Sequence, residues 1–239
     1  HLSIRRQRQM CIRDSSTLYA WHAAVSWFVA MICLTILLLI YLKSKGLYKE
    51  VTNEHMHDLG KFLFAFSIFW TYMWFSQFML IWYANIGEET TYFLLRREEY
   101  SILFYANLAV NFLIPFFVLM RNDTKRKLGS LAFVSILVFI GHWLDFFLMI
   151  KPGVKITRDE HGHVAGHGGA AAHEAAGHGA HEIASSSFEM GYTIPGLLEL
   201  GTMIGFLGLF FFVTLTALSK APLIAKNDPY LDESLHHHT

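Results

Sequence analysis

The chain is short of cysteine, the residue that holds iron–sulfur clusters and covalently attached haem in proteins. It has only two cysteines, Cys11 and Cys33, which form no C-x-x-C pair, no C-x-x-C-H haem attachment and no run suited to an iron–sulfur cluster. It also lacks an excess of charge, since 19 basic and 19 acidic residues leave no formal net charge, and this excludes the basic excess of a nucleic-acid binder. We therefore expect this chain to bind no metal, no cofactor and no nucleic acid.

Long apolar runs are what the chain has in abundance, and hydrophobic residues make up 54% of it. Five runs are each about long enough to cross the ~30 Å hydrocarbon core of a bilayer as a helix. The runs are residues 18–42, 59–84, 102–120, 128–150 and 195–218. They leave no segment large enough for a soluble catalytic domain. The sequence therefore predicts an all-α, multi-pass membrane bundle of five transmembrane helices, with any chemistry inside the membrane or in partner subunits.

Two segments are predicted to lie outside this bundle. Residues 1–15 are polar and arginine-rich and begin with His instead of Met; we interpret them as a non-native leader on a fragment, with a short native arm as the alternative. Residues 151–193 form a long loop whose middle is a low-complexity run of Gly, Ala and His. This composition cannot offset its ordering entropy, so we expect disorder. Histidine-rich tracts can bind Zn or Cu loosely, but the irregular histidine spacing lacks the fixed pairs of a structural zinc site, so we expect a solvated linker and assign no metal.

The distribution of lysine and arginine orients the bundle. Five spans place the two ends of the chain on opposite sides, which we call side X, where the first span begins, and side Y, where it ends. With residues 1–15 set aside, side Y carries more lysine and arginine than side X, so the positive-inside rule makes side Y cytoplasmic. We expect the histidine-rich loop to lie outside the cytoplasm and the C-terminal tail to lie inside it.

The fourth span carries the most unusual polar pair. His142 and Asp145 are three residues apart, so they share one helix face, and an aspartate inside a span costs about 2.5–3.5 kcal/mol unless it faces protein, water or a counter-charge. Glu199 in the fifth span and His22 in the first are predicted to reach a similar depth near side X. Three interpretations are open: a protonatable layer that takes protons from a quinol or passes them on, an interhelical hydrogen-bond patch, or side chains that snorkel into headgroups.

The second span adds an aromatic stripe. Trp70, Trp74 and Gln77 recur at helical spacing, and aromatic walls with one amide are suited to hold a quinone head-group. Ordinary aromatic packing is the alternative for this stripe.

The side Y end of the same span carries a titratable group. It consists of His57, Asp58 and Lys61, which can admit protons from the cytoplasm. Solvated interfacial charge is the alternative interpretation.

The sequence around the second span resembles a known family. The resemblance is carried by His57-Asp58-Leu59-Gly60-Lys61, Phe69-Trp70-Thr71-Tyr72, Phe75-Ser76-Gln77, Ile81-Trp82-Tyr83-Ala84-Asn85-Ile86 and Glu88-Glu89-Thr90. These residues are similar to the quinol-oxidoreductase membrane subunits of bacterial alternative complex III, relatives of the NrfD-like membrane subunit of polysulfide reductase. The likeness covers residues 16–239, and the histidine-rich loop favours the second such subunit (ActF-like). Gly87 departs from the proline expected in this turn.

The resemblance implies a function and a set of partners. Family members have about twice as many membrane helices, so this chain resembles a C-terminal half. Their complex oxidises menaquinol or ubiquinol and passes electrons to cytochrome c or to an oxidase, through haem c and iron–sulfur clusters in a multihaem cytochrome and an iron–sulfur subunit. The membrane subunits, including a homologous partner of this chain, carry quinol-binding or proton-conducting groups and no metal. The quinol site belongs most clearly to the first membrane subunit, so no catalytic residue is transferred here.

Three other functions are alternatives. A purely structural subunit would dock the redox subunits without a proton or electron path. A stand-alone secondary transporter is disfavoured because the spans lack the Gly/Pro-interrupted segments that mark unwound substrate sites. A haem b anchor needs two axial histidines at one depth on facing helices, and His22 and His142 are the candidates for that role.

Overall fold

The computed structural model describes residues 17–47, 51–166 and 196–220, and these ranges contain helices and turns without a strand. The helices are α1 Thr17–Ser44, α2 Asn53–Ala84, α3 Gly87–Glu98, α4 Ser101–Leu108, α5 Ile114–Met120, α6 Asn122–Arg126, α7 Leu128–Gly166 and α8 Leu197–Lys220. One π-helical turn, Ala109–Leu113, joins α4 to α5. The all-α fold class predicted from the sequence is confirmed.

Five helical segments are long and apolar enough to cross a membrane, as the sequence predicted. They are Leu18–Ser44, Asn53–Ala84, Ser101–Met120, Leu128–Pro152 and Leu197–Lys220. The third span consists of α4, the π-helical turn and α5. The chain is therefore a multi-pass membrane protein, built on the five apolar runs that the composition predicted.

The observed helices are longer than the apolar runs at two places. Helix α2 begins at Asn53 instead of 59, where the imidazole Nδ1 of His55 lies 2.7 Å from the Thr52 hydroxyl and 3.3 Å from the Thr52 backbone nitrogen. Helix α7 continues beyond Pro152 to Gly166, into the segment predicted to be disordered. Residues 167–195, which hold most of the predicted loop, and the predicted leader 1–15 lie outside the described ranges.

Helix α3 was not predicted by the sequence pattern. It follows Asn85, which adopts the left-handed conformation (φ 47°) and donates its backbone N–H to the Ile81 carbonyl at 3.1 Å. This conformation ends α2 and turns the chain into α3. The helix carries a buried arginine, Arg96.

The chain divides into two compact units, one with the described residues up to Leu148 and the other with those from Met149 onward. In the first unit, apolar side chains of α1, α2, α5 and α7 form the core. Its fully buried members include Val29, Ile36, Leu63, Trp70, Leu119, Leu131, Val134 and Val138. Neighbouring spans thus pack through aliphatic side chains, which leaves their few polar groups to be placed by this packing.

Helix α7 approaches the π-helical turn at a glycine. A Cβ atom built on Gly141 would lie 2.6 Å from Val110 Cγ1 and closer still to Asn111 Oδ1. Real Cβ atoms do not come this close to other heavy atoms. The absence of a side chain at position 141 therefore allows α7 to rest directly against the turn.

Replacing Gly141 by alanine should destabilise the protein. The added methyl group has no space, so we expect the free energy of unfolding to fall by about 1–3 kcal/mol. The measurement is thermal unfolding in detergent. Gly129→Ala is the control, because Gly129 lies in the same helix and a Cβ atom built there meets nothing within 4 Å. Equal melting temperatures for the two variants would contradict this close packing.

Candidate functional site: a buried carboxylate in the membrane

Asp145 lies at the centre of a buried group of polar side chains. Its Oδ1 accepts a hydrogen bond from Asn107 Nδ2 at 2.9 Å. Its Oδ2 lies 3.0 Å from His22 Nε2 and accepts hydrogen bonds from Ser26 Oγ at 3.0 Å and Trp70 Nε1 at 3.3 Å. We call these residues, together with His142 and Asn111, the Asp145 cluster, and each is at most 3% exposed.

The cluster brings together groups from four spans. His22 and Ser26 come from α1, Trp70 from α2, Asn107 from α4, and Asp145 with His142 from α7. A carboxylate inside a bilayer is stable only when donors or a counter-charge replace its hydration. Four donors surround this one, and His22 forms an ion pair with it whenever its imidazole is protonated. The three residues predicted from the sequence, His22, His142 and Asp145, are thus placed together.

Ser26 connects the second imidazole to the carboxylate. Its hydroxyl oxygen lies 2.7 Å from His142 Nδ1 and 3.0 Å from Asp145 Oδ2. A hydroxyl has one proton, so when Ser26 donates to Asp145 it must accept from His142 Nδ1–H, and when it donates to His142 it leaves Asp145. Ser26 can therefore donate its hydroxyl proton either to His142 or to Asp145.

The outer nitrogens of both imidazoles end this chain of contacts. His142 Nε2 and His22 Nδ1 are buried and have no hydrogen-bond partner in the part of the chain that the structure describes. Buried polar atoms of this kind need an explanation, such as a water or a mobile proton. The series His142, Ser26, Asp145, His22 is thus a continuous hydrogen-bonded path with an open ring nitrogen at each end.

Trp70 fixes the positions of the two imidazoles. Its ring system meets His22 edge-to-face at 5.4 Å and His142 at 5.6 Å between centroids, with interplanar angles of 72° and 85°. Edge-to-face contacts of this kind restrict ring rotation. The aromatic stripe predicted as a quinone pocket therefore contributes Trp70 to the Asp145 cluster.

The other two members of the stripe have different surroundings. Trp74 stacks on Phe78 at 6.1 Å and packs against Phe104 at 5.3 Å. Gln77 is buried at 5% exposure, further toward side X along α2. Trp74 thus takes part in aromatic packing, the alternative that the sequence left open for this stripe.

Three residues of the cluster were missed by the sequence analysis. They are Ser26, Asn107 and Asn111. Asn111 lies in the π-helical turn and donates from Nδ2 to Asn107 Oδ1 at 2.7 Å. The available signal was spacing, because Ser26 is four residues after His22 and Asn111 four after Asn107, so each pair shares a helix face. π-helical turns are also frequent at functional sites.

Arg96 donates a hydrogen bond to the backbone of α7 near the side X end of the fourth span. It is 6% exposed, and its Nε donates to the Leu148 carbonyl at 3.0 Å while Nη1 donates to the Tyr92 carbonyl at 2.6 Å. The residue four positions after Leu148 is Pro152, which has no N–H to complete the helical bond. Arg96 therefore supplies the donor that the proline removes.

The charge of Arg96 is held in an apolar setting beside a phenol. Its guanidinium carbon lies 3.4 Å from the centroid of the Tyr92 ring. Desolvation raises the pKa of Tyr92 to about 12 and lowers the pKa of Arg96, but arginine stays protonated in proteins. Leu148 is one helical turn after Asp145, so a permanent positive charge lies toward the side X end of the cluster.

Glu199 is placed in the second unit. Its carboxylate forms an ion pair with Lys151 and accepts the Gly196 backbone N–H at 3.0 Å. The sequence predicted Glu199 as a member of the protonatable layer, with an interfacial side chain as the alternative, and the structure adds a basic partner from the end of the fourth span.

The side Y candidates lie together on the first turns of α2. Lys61 Nζ donates to Asp58 Oδ1 at 3.0 Å, and His57 is 5% exposed on the same helix. At 1.5 Å rise per residue, His57 lies about 20 Å along α2 from Trp70. The two predicted groups of titratable residues are therefore separate sites.

Replacing Arg96 by alanine should destabilise the fold because the Leu148 carbonyl loses its donor. We expect the free energy of unfolding to fall by about 1–3 kcal/mol. Pro152→Ala restores a backbone N–H four residues after Leu148, so Arg96→Ala should lower the free energy of unfolding less in the Pro152→Ala background than in the natural sequence. Thermal unfolding in detergent measures this cycle. Arg97→Ala, an exposed neighbour, is the control, and strict additivity would contradict the role of Arg96.

Comparison of the sequence with family models and with curated proteins identifies no family. No family model matches the chain and no curated protein matches it. The resemblance in the second span therefore rests on the residues quoted for it.

Proposed function

We propose that the chain is a membrane subunit of a quinol-oxidising respiratory complex, in which the Asp145 cluster conducts protons. The observation that carries this proposal is the unbroken series of contacts from His142 Nδ1 through Ser26 and Asp145 to His22 Nε2. Each member of the series can both accept and release a proton. The resemblance of the second span to alternative complex III membrane subunits supports the respiratory setting.

The steps of proton transfer follow from the atoms in contact. His142 takes up a proton on Nε2 and gives the proton on Nδ1 to Ser26 Oγ, while the Ser26 hydroxyl proton passes to Asp145 Oδ2. Asp145 then gives this proton to Nε2 of His22 in the tautomer that carries its proton on Nδ1, and His22 releases the Nδ1 proton. Rotation of the Ser26 hydroxyl and return of both imidazoles to the Nδ1–H tautomer reset the path. Imidazoles are suited to both ends because one ring nitrogen accepts while the other releases.

The setting of the path is part of the same proposal. The partners would be a multihaem cytochrome, an iron–sulfur subunit and a homologous membrane subunit, which would hold the haem c and the clusters. Menaquinol or another quinol would be the substrate of the whole complex. In a bacterial inner membrane with side X in the periplasm, His22, near the side X end of α1, would be the releasing end.

A structural role is the second candidate, and the same contacts favour it. Hydrogen bonds of the cluster join four spans, and interhelical hydrogen bonds in membranes contribute about 0.6 kcal/mol each on average. A subunit of this kind would dock the redox subunits without moving protons. The two functions predict different results for a substitution that preserves the shape of the cluster but blocks proton transfer. A proton path predicts slower quinol oxidation, and a structural role predicts an unchanged rate.

Asp145→Asn is the substitution that keeps the shape. The new amide can face Asn107 with its NH₂ group if the Asn107 and Asn111 amides both flip, because Asn111 Oδ1 is available in the described part of the chain. We expect an assembled complex whose proton-coupled quinol oxidation is slowed roughly 10²-fold. The measurement is quinol oxidation and proton release by the purified complex in liposomes. Normal rates would exclude the relay, and lost assembly would favour the structural role.

Ser26→Ala tests the same path at a second atom. The hydroxyl is removed with little change of volume, so proton transfer between His142 and Asp145 should slow while Ser26→Thr keeps part of the rate. The matched control is Ser135→Ala, since Ser135 is equally buried and belongs to α7 outside the cluster. Equal rates for Ser26→Ala and Ser135→Ala would contradict a conducting role for Ser26.

Purification of the complex from native membranes tests the partners. We expect the protein to co-purify in mild detergent with multihaem cytochrome and iron–sulfur subunits, identified by mass spectrometry and visible spectra. A lone, haem-free protein would contradict the respiratory proposal. It would favour the transporter alternative instead.

A further inference from the structure

Lys125 is a buried cation at the opposite side of the membrane from the Asp145 cluster. It lies in α6, in the connection between the third and fourth spans, and is 7% exposed. Its Nζ lies 5.0 Å from the centroid of the Phe64 ring, and its Cβ packs at the position where α2 has Gly60. A Cβ atom built on Gly60 would lie 3.4 Å from Lys125 Cβ, which is ordinary van der Waals contact, so the stem of Lys125 lies against α2.

Two basic residues near Lys125, Lys61 and Arg126, have carboxylate partners, whereas Lys125 has none among the described residues. Lys61 pairs with Asp58 at 3.0 Å, and Arg126 pairs with Glu54 at 3.4 Å. Desolvation, with repulsion from Lys61 as a smaller cause, lowers the pKa of Lys125. Burial of the side chain partly desolvates this ammonium, and no carboxylate among the described residues compensates for that cost. A ligand that brings negative charge would remove this cost.

The position of Lys125 indicates where such a charge comes from. Helix α5 ends at Met120 and α7 begins at Leu128, so Lys125 lies at the level where the apolar spans give way to lipid headgroups. Large apolar side chains at this level point outward, with Phe62 55%, Phe117 66% and Met120 60% exposed. These surfaces suit acyl chains. Basic sites between membrane helices bind the headgroups of anionic lipids.

We infer that Lys125 is the centre of a binding site for the phosphate group of an anionic glycerophospholipid, with Lys61 and Arg126 as supporting cations. The lipid phosphate supplies the counter-charge, and its acyl chains cover apolar side chains at the ends of α2 and α5. The site holds the connection between the third and fourth spans against α2. It is independent of the proposed proton path, since none of its residues belongs to the Asp145 cluster.

The test uses the full chain, stripped of lipid in detergent and returned to phosphatidylcholine vesicles with or without phosphatidylglycerol. For the natural sequence we expect phosphatidylglycerol to raise the melting temperature and to remain bound in native mass spectrometry. Lys125→Met keeps the apolar stem and removes the charge, so affinity for phosphatidylglycerol should fall about fivefold and the rise in melting temperature should disappear. Lys125→Arg should retain both.

Lys127→Met is the matched control, because Lys127 is an exposed lysine two positions away and should behave like the natural sequence. The lipid-dependent rise in melting temperature, and not the starting stability, is compared, since removal of a buried charge can itself stabilise the protein. Equal losses for Lys125→Met and Lys127→Met would overturn the site. Complete competition by inorganic phosphate would show a site for free phosphate and overturn the lipid assignment.

Discussion

The buried negative charge of Asp145 needs hydrogen-bond donors, and this need sets the arrangement of the first four spans. Asp145 is 3% exposed and receives its donors from α1, α2 and α4. Each of these helices must present one face to α7, because a rotation of any of them would remove part of the donor set of the carboxylate in a medium that offers no water. Aliphatic packing brings the spans together, but it tolerates many rotations. The polar contacts select one of them.

The backbone of the third span is adapted to the same requirement. Its π-helical turn places Asn111 where its amide can hold Asn107, and Asn107 in turn donates to Asp145. The turn needs space against α7, and Gly141 provides it. A local irregularity in one helix and a missing side chain in another therefore serve the same carboxylate.

Most of the fold could be predicted from the sequence, because about 20 apolar residues are enough to identify a span. The rare charged and imidazole groups were also found, since His22, His142 and Asp145 stand out in apolar surroundings. Ser26, Asn107 and Asn111 were missed because short polar side chains barely interrupt an apolar run. Which faces meet depends on contacts between distant segments, such as Arg96 with the Leu148 carbonyl, and a one-dimensional pattern does not contain them.

The four groups around Asp145 fall into two chemical kinds. The indole N–H of Trp70 and the amide of Asn107 donate hydrogen bonds but do not give up their protons at physiological pH. His22 and Ser26 donate and also exchange. The negative charge is thus stabilised from four directions, while a proton can arrive or leave in only two of them. In the proposed proton path, Asp145 would therefore exchange protons only with Ser26 and His22, while Trp70 in α2 and Asn107 in α4 would stabilise its charge without taking part in the transfer.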